Sequence, residues 1–181
     1  VFYDVSNPAS PVLLGGADTD DYSLTDVTYN GSYAFASSND ATRELTAVRQ
    51  SDFSIVDILD LSGSSGAGAI DWFGTNVYVG LNNNGSGYEL AAINAADPAN
   101  LLITSTIEVA ESVERIQVDT NGQYAAAATR RDGKNLFMID LSTFTEAHSG
   151  DVSGGSQAES GSLFGAHGYV GSTSSTEDVV A

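Results

Sequence analysis

One short motif recurs four times along this chain, at a spacing of about 45 residues. It is clearest at residues 89–100 (ELAAINAADPAN) and recurs from Glu44, from Asn135 and in the opening VFYDVSNP. Its aligned apolar residues Leu45, Leu90, Leu136 and Val179 are 45, 46 and 43 residues apart. Such a period indicates one small unit copied several times. We therefore expect a single array over 1–181, with approximate repeats at 1–43, 44–88, 89–134 and 135–181. Because both ends cut the same segment of the repeat, we expect a fragment of something longer.

Each repeat predicts four short strands separated by turn residues. The strands include residues 24–29, 102–107 and 145–150, and Asn30-Gly31 and Asn121-Gly122 predict tight hairpins with positive φ at both central residues. No window has a helical period. Four strands in about 45 residues is the size of one propeller blade. The predicted fold is all-β, with four β-propeller blades of four short antiparallel strands each. A β-sandwich is the alternative, since it too has many short strands.

Charge narrows the classes of partner. Six Lys and Arg against 24 Asp and Glu give a net charge of -18, which disfavours nucleic acid and favours cations and basic partners. The chain has no cysteine, which excludes disulfides and thiolate metal sites. No apolar run is long enough to span a bilayer, so no transmembrane segment is expected in this chain. Its richness in Ser, Thr, Gly, Asn and Asp is typical of secreted, surface-exposed repeat proteins.

The first repeat resembles a known family. VFYDVSNPASPVLLG at residues 1–15 is similar to the LVIVD repeat, in which a strand ends in Asp-Val-Ser-Asn-Pro, and GSYAFA at 31–36 resembles the preceding half of that repeat. The later copies keep only parts of the pattern. The resemblance implies a β-propeller on secreted or cell-surface bacterial or archaeal proteins. It carries no catalytic motif, so no functional residues are transferred.

The predicted binding residues lie in loops expected on one rim of the propeller. Asp18, Asp20 and Asp21 form the densest acidic cluster, and its alternating carboxylates could hold Ca²⁺ through oxygen ligands. The cluster lacks the complete ligand set of an EF-hand loop, and a solvated acidic loop is the simpler interpretation. No other cofactor is expected. The remaining rim candidates are Asn39, Asp40, Asn83, Arg130, Arg131 and Asp132.

Two of these candidates, Arg130 and Arg131, belong to a loop that also holds Lys134, and this loop carries half of the chain's basic residues. In an acidic protein it could dock an acidic neighbour, including another copy of the chain, although an exposed hairpin loop is the simpler interpretation. The two histidines, His148 and His167, show no spacing that points to a metal pair or a catalytic triad.

The function expected from these observations is a non-catalytic, extracellular or cell-surface binding or structural module. Its partners would be proteins or glycans, or further copies of itself, and adhesion or a place in a pilus-like filament fits this class. The alternative is a propeller hydrolase or lyase with a central pocket. That would need His, Arg or carboxylates converging from the inner strands, which offer Asp26, Asp71 and Gln117 with no basic partner evident beside them.

Overall fold

The computed structural model describes residues 1–20, 22–61, 66–82, 87–131, 133–151, 157–164, 167–173 and 179–180. The strands found in these ranges are β1 (Phe2–Asp4), β2 (Val12–Gly15), β3 (Leu24–Tyr29), β4 (Tyr33–Ser38), β5 (Leu45–Arg49), β6 (Ile55–Leu59), β7 (Ala67–Phe73), β8 (Asn76–Leu81), β9 (Leu90–Asn94), β10 (Leu102–Ile107), β11 (Val113–Val118), β12 (Tyr124–Thr129), β13 (Leu136–Asp140), β14 (Thr145–Gly150), β15 (Ala158–Phe164), β16 (His167–Ser172) and β17 (Val179–Val180). Within these ranges there is no helix that could cross a membrane.

The strands form consecutive antiparallel sheets. The first sheet is β3-β4-β5-β6, the second β7-β8-β9-β10, the third β11-β12-β13-β14 and the fourth β15-β16-β17, while β1 and β2 form a separate hairpin. Each four-stranded sheet takes two strands from one sequence repeat and two from the next. The prediction of an all-β fold with four-stranded antiparallel units is confirmed. Five sheets exceed the two of a sandwich, and their form is compatible with propeller blades.

The first strand of each sheet has a register irregularity at its start, between Leu24 and Asp26, Ala67 and Ala69, Val113 and Arg115, or Ala158 and Ser160. This shared bulge aligns the four sheets residue by residue. It makes Val27, Ile70 and Ile116 equivalent, and likewise Tyr29, Trp72 and Val118. An ungapped alignment of the repeats on the turn glycines Gly74 and Gly122 would place Thr120, and not Val118, opposite Trp72, because the turn after β11 is two residues longer than the turn after β7.

The turns differ from prediction for a local reason. Gly31 and Gly122 have positive φ, at 94° and 67°, but the asparagines before them do not. Instead, the Asn30 side chain accepts hydrogen bonds from the Ser32 and Tyr33 amides. In the third sheet the Asp119 carboxylate accepts those of Gln123 and Tyr124. Side-chain caps therefore replace the second left-handed residue. The predicted hairpin turns are present, but the prediction of positive φ at both central residues is wrong at both places.

Successive sheets pack through their apolar faces. One buried cluster lies between the first and second sheets and includes Phe35, Ile70 and Ile93. The next lies between the second and third and includes Tyr78, Ile116 and Phe137. A smaller one, with Ala128, Ala158 and Val170, joins the third sheet to the fourth. The first strands are also neighbours in chain order, β3 beside β7, β7 beside β11 and β11 beside β15. Stacking of repeated units supplies the core that one sheet cannot form alone.

The stacked sheets have two edges, one at each end of their strands. The loops of successive sheets lie together at each edge. At one edge, which we call the loop edge, the residue after each second strand donates a hydrogen bond to the residue before the first strand: Asn39 to Ser23, Asn82 to Gly66, Arg130 to Ser112 and Thr173 to Gln157. At the opposite, turn edge, Gln50 donates to Ser32, Ala95 to Thr75 and Leu141 to Gln123. The rim candidates that lie within the described ranges are in loops at the loop edge.

Candidate functional site

The polar residues of the first strands meet across the molecule at Asp26 and Arg115. An Arg115 guanidinium nitrogen lies 2.5 Å from Asp26 Oδ2, joining the first sheet to the third. The same oxygen accepts the Ile70 amide of the second sheet at 3.3 Å. The sequence interpretation that no basic partner lies beside Asp26 is therefore wrong. This carboxylate ties three sheets together, and all its contacts are internal.

Asp71 and Gln117 occupy equivalent positions in their sheets, and each accepts a backbone amide from the next sheet. Asp71 Oδ2 accepts the Val118 amide at 2.7 Å, and Gln117 Oε1 accepts the Leu163 amide at 2.8 Å. Each side chain thus holds the first strand of the following sheet by its backbone. Neither histidine lies beside them in the hydrogen bonds of the described residues, and both His148 and His167 are exposed. The inner strands bring together groups that join sheets, and they do not assemble an acid–base pair with a histidine.

The basic loop is tied to the protein itself. Arg130 Nε lies 2.9 Å from Glu114 and its Nη2 lies 3.2 Å from Glu159, so that it bridges the third and fourth sheets. Arg131 donates to the Val109 carbonyl at 3.1 Å. Burial raises the pKa of Glu114, and the neighbouring Arg130 opposes this rise. The charge of Arg130 is therefore paired with two glutamates of its own chain, whereas Arg131 contacts an uncharged carbonyl and docking of an acidic neighbour stays a prediction.

The other basic residues are also engaged. Lys134 pairs with Glu146 at 3.0 Å, Arg49 with Asp52 at 3.1 Å, and Arg43 lies 3.6 Å from Asp20. All six basic side chains of the chain therefore contact acidic or carbonyl oxygens of their own protein. The remaining surface charge is negative, which favours a cationic or uncharged partner.

The acidic loop is organised by its own hydrogen bonds. Asp18 Oδ1 accepts the Asp20 amide at 3.1 Å, and Asp20 is left-handed at φ 55°. Arg43, which contacts Asp20, also donates to the Tyr22 hydroxyl and stacks over its ring. Within the described ranges no group of three or more His, Asp or Glu side chains is placed to hold a metal ion. Asp21 lies outside those ranges, and the two interpretations of this loop, a calcium site and a solvated acidic loop, both stay predictions.

The remaining loop-edge candidates lie at the junction of the first two sheets. Asn39 Oδ1 is 3.4 Å from Asn82 Nδ2, and a Cβ on Gly66 would lie 2.7 Å from the Asn39 backbone. Asp40 accepts both the amide and the hydroxyl of Thr42, which lower its pKa. Asn83 and Asp132 lie outside the described residues. The structure therefore brings Asn39 beside the second sheet, while Asp40 contacts its own loop and Asp18 and Asp20 lie in the loop before β3.

A further set of polar residues was not singled out by sequence reasoning. Glu44 and Glu89 stand just before the third strands of their sheets and are fully buried. Glu44 accepts the Leu61 amide, and Glu89 accepts those of Val109 and Ala110. Burial raises the pKa of both carboxyls. The sequence did contain a signal for these residues, because both glutamates occupy the same repeat position in front of an apolar strand. Their carboxylates hold the backbone that connects one sheet to the next.

The turn edge has a groove of about 460 Å³ between the second and third sheets. Its walls include the aromatic rings of Phe73, Tyr78 and Tyr124. The acidic residue in it, Asp140, accepts the amide and hydroxyl of Ser142, and these bonds lower its pKa. The Asp140 carboxylate is therefore occupied by its own turn.

Comparison with known proteins identifies the fold and no family. No family model and no curated protein matches the chain. In solved structures the chain is similar to the computationally designed Ika4 protein, with a TM-score of 0.72, 10% identity, and coverage of 91% of this chain and 93% of that one. It is also similar to the computationally designed Ika8 protein, with a TM-score of 0.65, 14% identity and coverage of 86% and 45%.

A natural structure shares the fold as well. Kuenenia stuttgartiensis hydrazine synthase matches with a TM-score of 0.63 at 16% identity, over 81% of this chain and 41% of that one. The chain thus spans less than half of the Ika8 and hydrazine synthase chains. At these identities the likeness shows the fold alone. This chain is accordingly a repeated all-β protein whose stacked, antiparallel sheets are also found in designed proteins and in part of an enzyme.

Proposed function

We propose that the chain is a set of β-propeller blades of LVIVD-like type that acts as a non-catalytic binding and structural module outside the cell. The observation that carries this proposal is how the inner-strand polar groups are used. Asp26, Asp71 and Gln117 each hold the backbone of the next sheet. A catalytic acid or base needs a proton-transfer path to a substrate, whereas these groups are occupied by fixed internal donors.

The surface left for a partner is the loop edge. Loops of successive sheets meet there, as Asn39 meets Asn82, and loops on a rigid scaffold commonly carry binding residues. Its exposed acidic residues include Asp18 and Asp20, and the chain's net charge of -18 favours cationic or uncharged partners. Proteins with basic surfaces or neutral glycans at a cell surface are the partners that fit. The composition rich in Ser, Thr, Gly, Asn and Asp and the LVIVD-like first repeat support an extracellular setting.

A binding experiment with matched variants tests this. The purified chain is applied to a printed glycan array and to an array of lysine-rich peptides. Asp40→Asn alters a carboxylate that caps the Thr42 amide at the loop edge, and Asp97→Asn alters one that caps Ala99 at the turn edge. Binding that falls in Asp40→Asn and persists in Asp97→Asn supports the proposal.

The enzyme alternative is tested on the same preparations with ester and polysaccharide substrates. Turnover that disappears in Asp26→Asn, in a variant that remains folded, would replace the binding module with a hydrolase or lyase. Absence of binding on both arrays would count against a loop-edge partner of either chemical class.

A further inference from the structure

The first sheet presents an apolar face that the rest of the described chain leaves partly open. Leu24, Val27 and Tyr29 alternate along β3 and all three side chains are exposed. Val27 retains 62% of its surface, a large fraction for a valine on a sheet face. Alternation of exposed apolar residues on one face marks a surface that another sheet can cover.

The same positions in the next two sheets are covered by the preceding sheet. Ile70 and Ile116 are equivalent to Val27 and retain only 3% and 1% of their surface. Ile70 packs in the cluster with Phe35 of the sheet before it, and Ile116 in the cluster with Tyr78. The face of the first sheet is therefore a receiving face of the kind already used twice in this molecule.

The hairpin β1–β2 covers the outer half of this receiving face. The Phe2 and Phe53 rings lie 5.3 Å apart, and Ala34, Ala36 and Val48 beneath the hairpin are buried. A cavity of about 440 Å³ lies between the hairpin and the sheet, with Leu14, Ala36 and Val48 in its lining, and Val27 stays exposed on the half of the face nearer β3. What would fit there is a pair of inner strands, because inner strands cover the equivalent half in the second and third sheets.

The opposite end of the array presents the matching face. Tyr169 on β16 is equivalent to Phe35 and Tyr78, which insert into the receiving face of the following sheet. Phe35 and Tyr78 retain 0% and 4% of their surface, whereas Tyr169 retains 37%. The molecule thus carries an open receiving face at its first sheet and an uncovered aromatic side chain on the inserting face of its fourth.

We infer that two copies of this chain associate head to tail, with the fourth sheet of one copy stacked on the receiving face of the other beside its β1–β2 hairpin. This rests on the blade-like stacking within the proposed function, and it repeats an interface already present between consecutive sheets. Such a contact is heterologous, since it joins two different surfaces. In this arrangement Tyr169 of one copy packs on Val27 of the other, in the same way that Phe35 of the first sheet packs in the cluster with Ile70 of the second.

Solution mass is the first test. The unmodified chain should have the mass of two or more copies at micromolar concentration, and Val27→Asp and Tyr169→Asp should each reduce it to that of one. Leu102→Asp is the matched control, because Leu102 is a similarly exposed strand residue, at 53%, on the outer strand of the second sheet. Since Val27 is exposed in the single chain, its variant should keep the strand circular dichroism spectrum.

Mixing the two monomeric variants distinguishes a head-to-tail contact from a face-to-face one. Val27→Asp keeps a native inserting face and Tyr169→Asp keeps a native receiving face, so their mixture should form a complex with one copy of each. A face-to-face contact of two first sheets would not be restored by mixing. The inference is overturned if the unmodified chain remains a single copy at every concentration, or if the mixture stays monomeric.

The loop-edge binding assay separates this inference from the proposed function. A monomeric Val27→Asp chain should still bind its array ligands, because the loop edge and the receiving face are different surfaces. Loss of self-association with retained array binding is the expected pattern. Array binding by an unmodified chain that never self-associates would refute the interface alone.

Discussion

Replacing Gly122 with alanine should destabilise the protein by two separable effects. Gly122 has φ +67°, and a Cβ there would lie 2.0 Å from Cε1 of Phe73 in the preceding sheet. The left-handed backbone costs an L-residue about 1–2 kcal/mol. Forcing an extra methyl into a packed contact costs about 1–3 kcal/mol more. We expect Gly122→Ala to lower the free energy of unfolding by about 2–5 kcal/mol.

Gly74 provides the control for backbone strain. It has a nearly identical φ of +64° in the corresponding turn of the second sheet, with no atom within 4 Å of an added Cβ. Gly74→Ala should therefore lower the free energy of unfolding only by the backbone strain of about 1–2 kcal/mol. The difference between the two variants measures the contact between neighbouring sheets.

Urea unfolding followed by circular dichroism measures both variants. A second comparison, in the Phe73→Ala background, should show that Gly122→Ala costs less when the ring is gone, with a coupling of about 1 kcal/mol or more. Equal losses for Gly122→Ala and Gly74→Ala would refute the reasoning, since the Phe73 contact would then contribute nothing.

Two further predictions concern ionisation and metal. Burial raises the pKa of Glu44, so its stabilising contribution is complete below the ordinary glutamate range and is lost as pH rises through the raised pKa. Glu44→Gln removes this titration, so the free energy of unfolding, measured by urea titration, should fall less in the variant than in the unmodified chain as pH rises above the ordinary glutamate range; an unchanged pH profile would contradict this. Because Asp20 already faces Arg43, adding calcium at constant ionic strength should leave the melting temperature unchanged; a rise reversed by EDTA would contradict it.

The strands were predictable because their signals are local. Residues 24–29, 102–107 and 145–150 were expected as strands and are β3, β10 and β14. In 24–29 and 102–107 the apolar residues are bounded by turn residues, whereas 145–150 (TEAHSG) is expected as a strand from its place in the repeat. The antiparallel four-stranded unit followed from the number of strands in each period.

Turn details were less predictable because side chains compete with backbone geometry. Asp119 caps two amides and thereby lengthens the turn after β11, which shifts the third repeat by two residues relative to the ungapped alignment. A dipeptide such as Asn121-Gly122 does not reveal that competition. The turn needs a glycine at position 122 because the Phe73 ring of the preceding sheet leaves no room for a Cβ. The sequence of the turn alone does not show this contact.

The polar network between sheets could not be read from sequence. Asp26 and Arg115 are 89 positions apart, and their contact depends on how three successive sheets are arranged. The buried glutamates were visible as repeated residues, but repetition alone does not tell a binding residue from an anchor. Only the Leu61 and Val109 amides beside Glu44 and Glu89 show that these carboxylates hold connections.

Charged residues of the inner strands hold the sheets together, and the ion pair between Asp26 and Arg115 is the clearest case. A double-mutant cycle on Asp26 and Arg115 tests it most directly, using Asp26→Asn, Arg115→Gln and the double variant in urea unfolding. Arg115 is about half exposed, so the predicted favourable coupling is about 0.5–1 kcal/mol, reduced at high salt. A coupling of zero, with both single variants as stable as the unmodified chain, would contradict the claim.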